Sequence, residues 1–310
     1  MTTPAGLTVR PPERAEAGRI ADFLNGLSRE QHGADDVTTA EVEGWFDAPE
    51  LSPEEDFLVA EGPAGTLLAY ADMSDQGDRH RRFWIDLRPR DEEASLALVR
   101  EFERRAAAVA APAAILRSVA YDSDMRAGRV LERAGLAPVR YSFRMEVELA
   151  ESRAEPRWPE GIAVRTMESG RDEAAVYDVQ NETFEDAWEY EPDPYAEWEH
   201  WNLRRGQLDP TLSFLAQEGD EIAGIALCRS SDVEPDLGWV SILGVRRPWR
   251  RRGLGQALLE HAFAEFRRRG LGRAGLGVDA DSPTGAVGLY ERAGMRVSRR
   301  QVIFEKEVAV

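Results

Sequence analysis

The stretch Arg246–Gly255 reads RRPWRRRGLG, five arginines between Arg246 and Arg252 closed by two glycines. Before it stands WVSILGV (Trp239–Val245), β-branched and apolar, the composition of a buried strand. After it, Leu254, Leu258, Ala262 and Phe266 recur at helical spacing. Arg267–Arg269 and Gly270 then fall where a helix C-terminus favours cations and a left-handed cap. RRPWRRRGLG is therefore a strand-to-helix turn. Its glycines let a ligand approach the backbone and leave several N–H groups at a helix N-terminus, which is an anion site. The arginines add charge and forked donors, and a pyrophosphate matches that combination. A Walker loop is excluded, because no lysine follows the glycines. A dinucleotide-binding turn needs a third glycine where Leu258 stands.

The rest of the chain is acidic, with 57 Asp+Glu against 39 Lys+Arg and a net charge of −18. That balance opposes general nucleic-acid binding and docking on anionic membranes, both of which need a broad basic face. Cys228 is the lone cysteine, so no disulfide framework exists. The N-terminus has no apolar leader and no run of ~18 apolar residues occurs, so a cytoplasmic protein is expected. His32, His80, His200 and His261 are scattered without ligand spacing, so no metal is expected.

The chain repeats itself. LTVRPPE (Leu7–Glu13) matches IAVRTME (Ile162–Glu168), and DFLVAEGPAGTLLAY (Asp56–Tyr70) matches SFLAQEGDEIAGIAL (Ser213–Leu227). VLERAGL (Val130–Leu136) matches LYERAGM (Leu289–Met295). The order is kept and the offset drifts slowly, so the chain is two copies of one unit. The boundary falls in the charged, proline-containing Glu148–Gly161, giving domains 1–150 and 160–310. Each copy reads as a strand, a helical region, a hairpin, a strand, a helix, a strand, a short helix and a closing strand. This is an α/β or α+β fold with a mixed sheet.

Arg250-Arg-Arg-Gly253-Leu-Gly255, directly after a buried strand, resembles the R-x-x-G-x-G signature of the GNAT superfamily of acyl-CoA-dependent N-acetyltransferases. VDADSPTGAVGLYERAGM (Val278–Met295) is similar to that family's last strand, loop and short helix. The layout resembles tandem GNAT proteins, mycothiol synthases among them. The resemblance implies acetyl-CoA as cosubstrate, held by the loop Arg250, Arg251, Arg252, Gly253, Leu254, Gly255 and Gln256, with backbone amides cradling the pyrophosphate. Leu243, Gly244 and Val245 would line the edge of a splayed strand, with the Leu243 N–H facing the acetyl carbonyl. Ser282 would cap the short helix. Tyr290 would be the general acid toward the leaving thiolate.

Some relatives carry a glutamate on the strand before the loop; here Trp239 stands there, which weighs against a mycothiol synthase. The base is sought instead in NETFEDAWEYEPDPYAEWEHW (Asn181–Trp201), where Glu185, Asp186, Trp188 and Tyr190 combine carboxylates with aromatic walls suited to a cationic amine. Glu185 is the candidate base. In the first copy the corresponding DLRPRDEEASLALV (Asp86–Val99) has no glycines and has Asp91, Glu92 and Glu93 instead, while Leu131 replaces Tyr290. The first half is thus expected to be a scaffold beside one active domain. That domain would acetylate a primary amine of a small molecule, in a pseudo-dimeric monomer or a homodimer.

Overall fold

The repeated segments fold into repeated elements. The computed structural model describes residues 6–49, 51–76, 81–109, 113–150, 155–204 and 208–309. His80 and linker residues 151–154 lie outside that set. Two units emerge: Met1–Tyr141 with Arg300–Val310, and Ser142–Arg299.

In chain order the first half gives β1 (Thr8–Arg10), α1 (Ala17–His32), α2 (Thr39–Trp45), α3 (Pro53–Asp56), β2 (Phe57–Glu61), β3 (Leu67–Gln76), β4 (Arg82–Pro89), α4 (Glu92–Val109), β5 (Ala113–Tyr121), α5 (Met125–Arg133) and β6 (Ala137–Glu148). The second half gives β7 (Ile162–Thr166), α6 (Glu173–Phe184), α7 (Tyr195–Glu199), β8 (Phe214–Glu218), β9 (Glu221–Ser230), β10 (Leu237–Val245), α8 (Leu254–Arg268), β11 (Arg273–Asp279), α9 (Ala286–Arg292) and β12 (Arg296–Ala309).

In the first unit β1 to β4 pair antiparallel in sequence order, and β4 pairs with β5 in parallel across the α4 crossover. Apolar residues on α1, Ile20, Leu24 and Leu27, pack with Val59 and Tyr70 on one side of the sheet. Leu98, Phe102 and Val130 of α4 and α5 pack with Ile85 and Leu116 on the other. The second unit repeats this arrangement with β7 to β10 antiparallel and β10 parallel to β11. Val176 and Val179 of α6 meet Leu215, Ile225 and Leu227. Leu258, Phe263 and Phe266 of α8 meet Val240, Ala274 and Leu276 on the opposite side. No helix among the described residues is long and apolar enough to cross a membrane.

The closing strands differ from the sequence expectation. β6, assigned by sequence to domain 1–150, pairs with β11 of the second unit, from Ser142↔Asp279 to Glu148↔Arg273. The last strand, assigned to domain 160–310, pairs with β5 of the first unit, from Gln301↔Tyr121 to Ala309↔Ala113. Each unit is closed by the other half's strand. Alternation identifies a strand and its buried face, but it carries no address for the partner. Phe304 is 5% exposed and belongs to the first unit's core, with Leu116 and Val130. Phe304→Ala should cost that unit about 3 kcal/mol, typical of a buried phenylalanine truncation. Urea denaturation would measure the loss. Amide exchange should place it in α4 and β5 rather than α8, although residue 304 is six from the end of the chain.

Candidate active site

The second unit's sheet opens beside the loop. Among the described residues, the parallel pairing of β10 with β11 runs from Leu237↔Arg273 to Val240↔Leu276 and stops. β10 itself continues against β9 to Val245↔Gly224, past a register shift between Val240 and Ile242. β11 continues against β6 to Asp279. Ser241–Val245 and Gly277–Asp279 therefore no longer pair with each other, which leaves a wedge between the two strands. Leu243 and Val245 lie along it and pack toward α8. Gly244 faces α6, where a Cβ would stand 2.4 Å from Thr183 Oγ1. The glycine is required for α6 to sit on the strand.

The loop that follows carries two left-handed residues, Arg251 (φ 62°) and Gly253 (φ 86°). Gly253 is the N-cap of α8, with no side chain capping the helix and no acidic residue in its first turn. No backbone acceptor takes the N–H groups of Arg251, Arg252 or Gly253 among the described residues. Successive unpaired amides in such a turn form an anion-binding concavity, reinforced by the helix dipole. A Cβ on Gly253 would meet nothing within 4 Å, so the backbone faces open space there. Gly255 serves packing instead: its Cβ would lie 3.2 Å from Leu289 Cδ1 of α9 and 3.6 Å from Val245 Cγ2.

Most of the arginines are already engaged. Arg246 binds Glu182 at 2.8 Å, and Arg252 binds Glu218 at 3.1 Å. Arg250 donates to the Val245 carbonyl (2.9 Å), the Thr183 carbonyl (3.2 Å) and Asp186 (2.6 Å). Arg247 donates to Asp186 (2.7 Å) and stands 3.4 Å from Glu185. Glu218 also accepts the Trp249 indole N–H at 2.9 Å. So the basic run is largely a set of ties fixing the loop to α6 and to the β8–β9 hairpin. Sequence reasoning missed Glu182, Thr183 and Glu218. Only Glu218 left a trace, because it aligns in the repeat with Glu61, which holds Arg10 and Arg19 in the first unit.

These ties reach the expected acceptor segment. Two guanidinium groups, of Arg247 and Arg250, bind the Asp186 carboxylate and hold its pKa down to about 2. Glu185, the candidate base, stands 3.4 Å from the Arg247 guanidinium. Tyr190 donates its hydroxyl to Asn181 Oδ1 at 2.6 Å, and burial pushes its pKa up to about 12. That makes it a brace between α6 and the following segment. Trp188 sits half-buried in the same segment. Ser282 is not the cap of α9. Gly285 is, at φ 72°, while Ser282 bonds Thr284 at 3.0 Å in the preceding turn. Tyr290 lies on α9, 8% exposed, within the same apolar cluster as Val240, Leu276 and Leu258. Burial alone raises its pKa to about 12, with no hydrogen bond from the described residues to offset it.

The first unit serves as an internal control. There β4 and β5 also part, after Ile85↔Ser118. But the Asp91 carboxylate accepts the Ala94 N–H at 2.9 Å, so α4 caps itself with its own anion. Arg88 lies in the wedge and grips Asp86 through two nitrogens at 2.8 and 3.0 Å. Leu131, in the place of Tyr290, is fully buried. The shared features, wedge and crossover helix, belong to the fold. Among the described residues, the second unit has the uncapped amides and a tyrosine at this position of its short helix, where the first unit has Asp91 and Leu131. The residues present in the second unit fit a pyrophosphate-bearing acyl-CoA, whereas Asp91 in the first unit does not.

The family model described as Acetyltransferase (GNAT) family matches residues 174–295. The mycothiol acetyltransferase of Geodermatophilus obscurus is 34% identical over 190 residues, 58% of this chain and 59% of that protein. In that relative and its counterpart in Thermobispora bispora, the match spans less than two thirds of the relative's length. The mycothiol acetyltransferase of Nocardia farcinica is 28% identical over 308 residues, 96% of this chain and 97% of that one. A tandem GNAT protein from the clavulanic acid biosynthesis pathway shares the fold, with a TM-score of 0.76 at 13% identity. The crystal structure of a GCN5-related N-acetyltransferase from Sphaerobacter thermophilus is 30% identical, covering 100% of this chain and 98% of that one, with a TM-score of 0.78. Matched almost end to end by that structure, and with the family model on the unit that keeps the uncapped loop, the chain belongs to the GNAT acetyltransferase family as a tandem member.

Proposed function

We propose that the second unit transfers an acetyl group from acetyl-CoA to a primary amine of a small molecule, and that the first unit is a scaffold without a productive acyl-CoA site. The observation that carries this reading is the contrast at equivalent helix N-termini. α8 starts on an uncapped glycine, and α4 is capped by Asp91. The amides of Arg251, Arg252, Gly253, Gly255 and Gln256 would hold the pyrophosphate. Leu243, Gly244 and Val245 would flank the acyl arm along the wedge. A neutral amine attacks the thioester carbonyl, the N–C bond forms and the C–S bond breaks. The amine gives its proton to water, and the Tyr290 hydroxyl protonates the departing sulfur. Holding both reactants together supplies much of the rate.

No carboxylate stands at Trp239, whose ring lies against Gly275 and under the Arg144 guanidinium at 5.1 Å. That observation favours water as the proton acceptor, and it supports a second reading, a non-catalytic acyl-CoA sensor. Relatives named mycothiol acetyltransferase support starting an acceptor panel with amine-bearing thiols. The test is thiol release from acetyl-CoA with amine panels that also include aminoglycosides and polyamines. Acyl transfer to any of them, with one acetyl-CoA bound per chain, supports the enzyme. Binding without turnover on every amine supports the sensor.

A further inference from the structure

One carboxylate reaches both sides of the strained residue in the loop. Arg251 is left-handed at φ 62°, a conformation that disfavours any residue with a Cβ. Glu218 closes β8, and its Oε2 accepts the Trp249 indole N–H at 2.9 Å. Its Oε1 accepts from Arg252 at 3.1 Å. Trp249 is the fixed side of this bridge. It is 6% exposed, belongs to the cluster of Leu254 and Leu258, and has the Arg246 guanidinium 5.6 Å over its ring. Among the described residues, the loop's other side-chain ties act upstream of Arg251, through Arg246, Arg247 and Arg250. Downstream, the Arg252 side chain has Glu218 and the Glu160 carbonyl at 3.5 Å, the outer limit of a hydrogen bond. The three residues that carry the unpaired amides, Arg251 to Gly253, are therefore tied chiefly by Glu218. The first unit lacks both halves of this arrangement. Its Arg90 and Asp91 amides donate to the Leu68 carbonyl at 3.0 and 2.9 Å, and no residue from Pro89 to Glu92 is left-handed. Glu61, which aligns with Glu218, binds Arg10 and Arg19 instead.

We propose that Glu218 is a positioning residue for acyl-CoA. By bridging Trp249 and Arg252 it holds Arg251 left-handed, and so keeps the amides of Arg251, Arg252 and Gly253 turned together toward the pyrophosphate. This rests on the reading that the loop binds acyl-CoA. Backbone strain persists only where the surroundings over-determine it, and the bridge supplies that constraint. The Trp249 indole and the Arg252 guanidinium hold the Glu218 carboxyl below the usual carboxylate range, so it is ionised at neutral pH. A negative charge beside an anion site repels the ligand. On charge alone, removing it would tighten CoA binding, and the freed Arg252 would tighten it further. Loss of position acts in the opposite direction, so the sign of the change identifies the role.

The test is calorimetric titration of CoA into the full chain, Glu218→Gln, Arg251→Gly and the double variant, with the melting temperature of each. Glutamine keeps the side chain's shape but offers one neutral oxygen to two donors. The Glu218 side chain is 41% exposed, so no core contact is lost. Glu218→Gln should bind CoA about fivefold more weakly, the net size of one hydrogen bond. Its melting temperature should stay within about 2 °C of the parent's. In Arg251→Gly the left-handed backbone no longer carries a cost, so adding Glu218→Gln should change affinity by less than about twofold. Equal or tighter CoA binding by Glu218→Gln overturns the proposal and leaves the loop reading intact. The same fivefold loss in the Arg251→Gly background also overturns it, because Glu218 would then act without regard to the backbone at Arg251. If the parent binds no CoA, the loop reading itself fails and this proposal falls with it.

Discussion

Gly253→Glu should abolish acetyl-CoA binding while leaving the protein folded. The two effects separate because of where Gly253 sits. A Cβ there meets nothing within 4 Å, so no core contact is disturbed. The backbone is left-handed at φ 86°, which costs a residue with a Cβ about 1–2 kcal/mol, a shift of a few degrees in melting temperature. The new carboxylate would enter the concavity formed by the unpaired amides of Arg251 to Gly253. There it would act as Asp91 does on Ala94 in the first unit. The substitution thus converts the second unit's helix N-terminus into a copy of the first unit's. Replacing an attractive site with a repulsive, self-occupied one should weaken binding about a hundredfold or more, beyond calorimetric detection. Gly255→Glu is the less clean variant, because its side chain must displace Leu289 as well. The parent should bind one acetyl-CoA per chain. Binding that survives Gly253→Glu would mean the arginines and glycines serve something else, and a second equivalent site would mean that Asp91 does not block the first unit.

The fold was legible in the sequence as far as local pattern reaches. Alternation and turns located both hairpins, and helical spacing placed Leu254, Leu258, Ala262 and Phe266 on one face, where all four are buried. The repeat carried the assignment from one half to the other. What stayed hidden was pairing across long separations. β6 and β12 are both amphipathic strands ending a repeat, and nothing in either dictates that it close the other unit. The same blindness affected the site. The glycines announced themselves because positive φ and close approach restrict residue choice. The arginines drew attention by their number, yet their partners Glu182 and Glu218 looked like ordinary surface acids in an acidic chain, and Asp186 read as part of an amine pocket. A cluster of carboxylates near aromatics suggests an amine pocket. Only coordinates show that Asp186 already has two arginines. Four of the five arginines of an acidic protein turn out to be neutralised locally. Arg251 alone has no side-chain partner among the described residues, and it sits at the left-handed start of the amide concavity.

Tyr290→Phe should lower turnover about a hundredfold, the usual contribution of a placed general acid, with acetyl-CoA affinity retained. The substitution is unusually informative because the hydroxyl has no structural duty. Tyr290 is 8% exposed, and burial is the sole cause that moves its pKa, with no hydrogen bond to any described residue. Phenylalanine keeps the ring in the cluster that also holds Val240 and Leu276 and removes a polar atom from it, so stability should hold or rise slightly. A fall in rate therefore cannot be charged to a broken fold. The pH profile gives a second check. With its pKa raised to about 12, the hydroxyl remains protonated through the mildly alkaline range, so the acid form is not lost as pH rises. An alkyl amine, with a pKa near ~10, gains its neutral nucleophilic form over the same range. The parent's kcat/KM should climb with pH up to about 10 without an earlier descending limb. The phenylalanine variant should climb in parallel at a lower level. A parent whose rate falls above pH ~8.5 would point to a different acid, one closer to the ordinary thiol range. A variant with undiminished turnover would leave the leaving thiolate to solvent and return Tyr290 to the core.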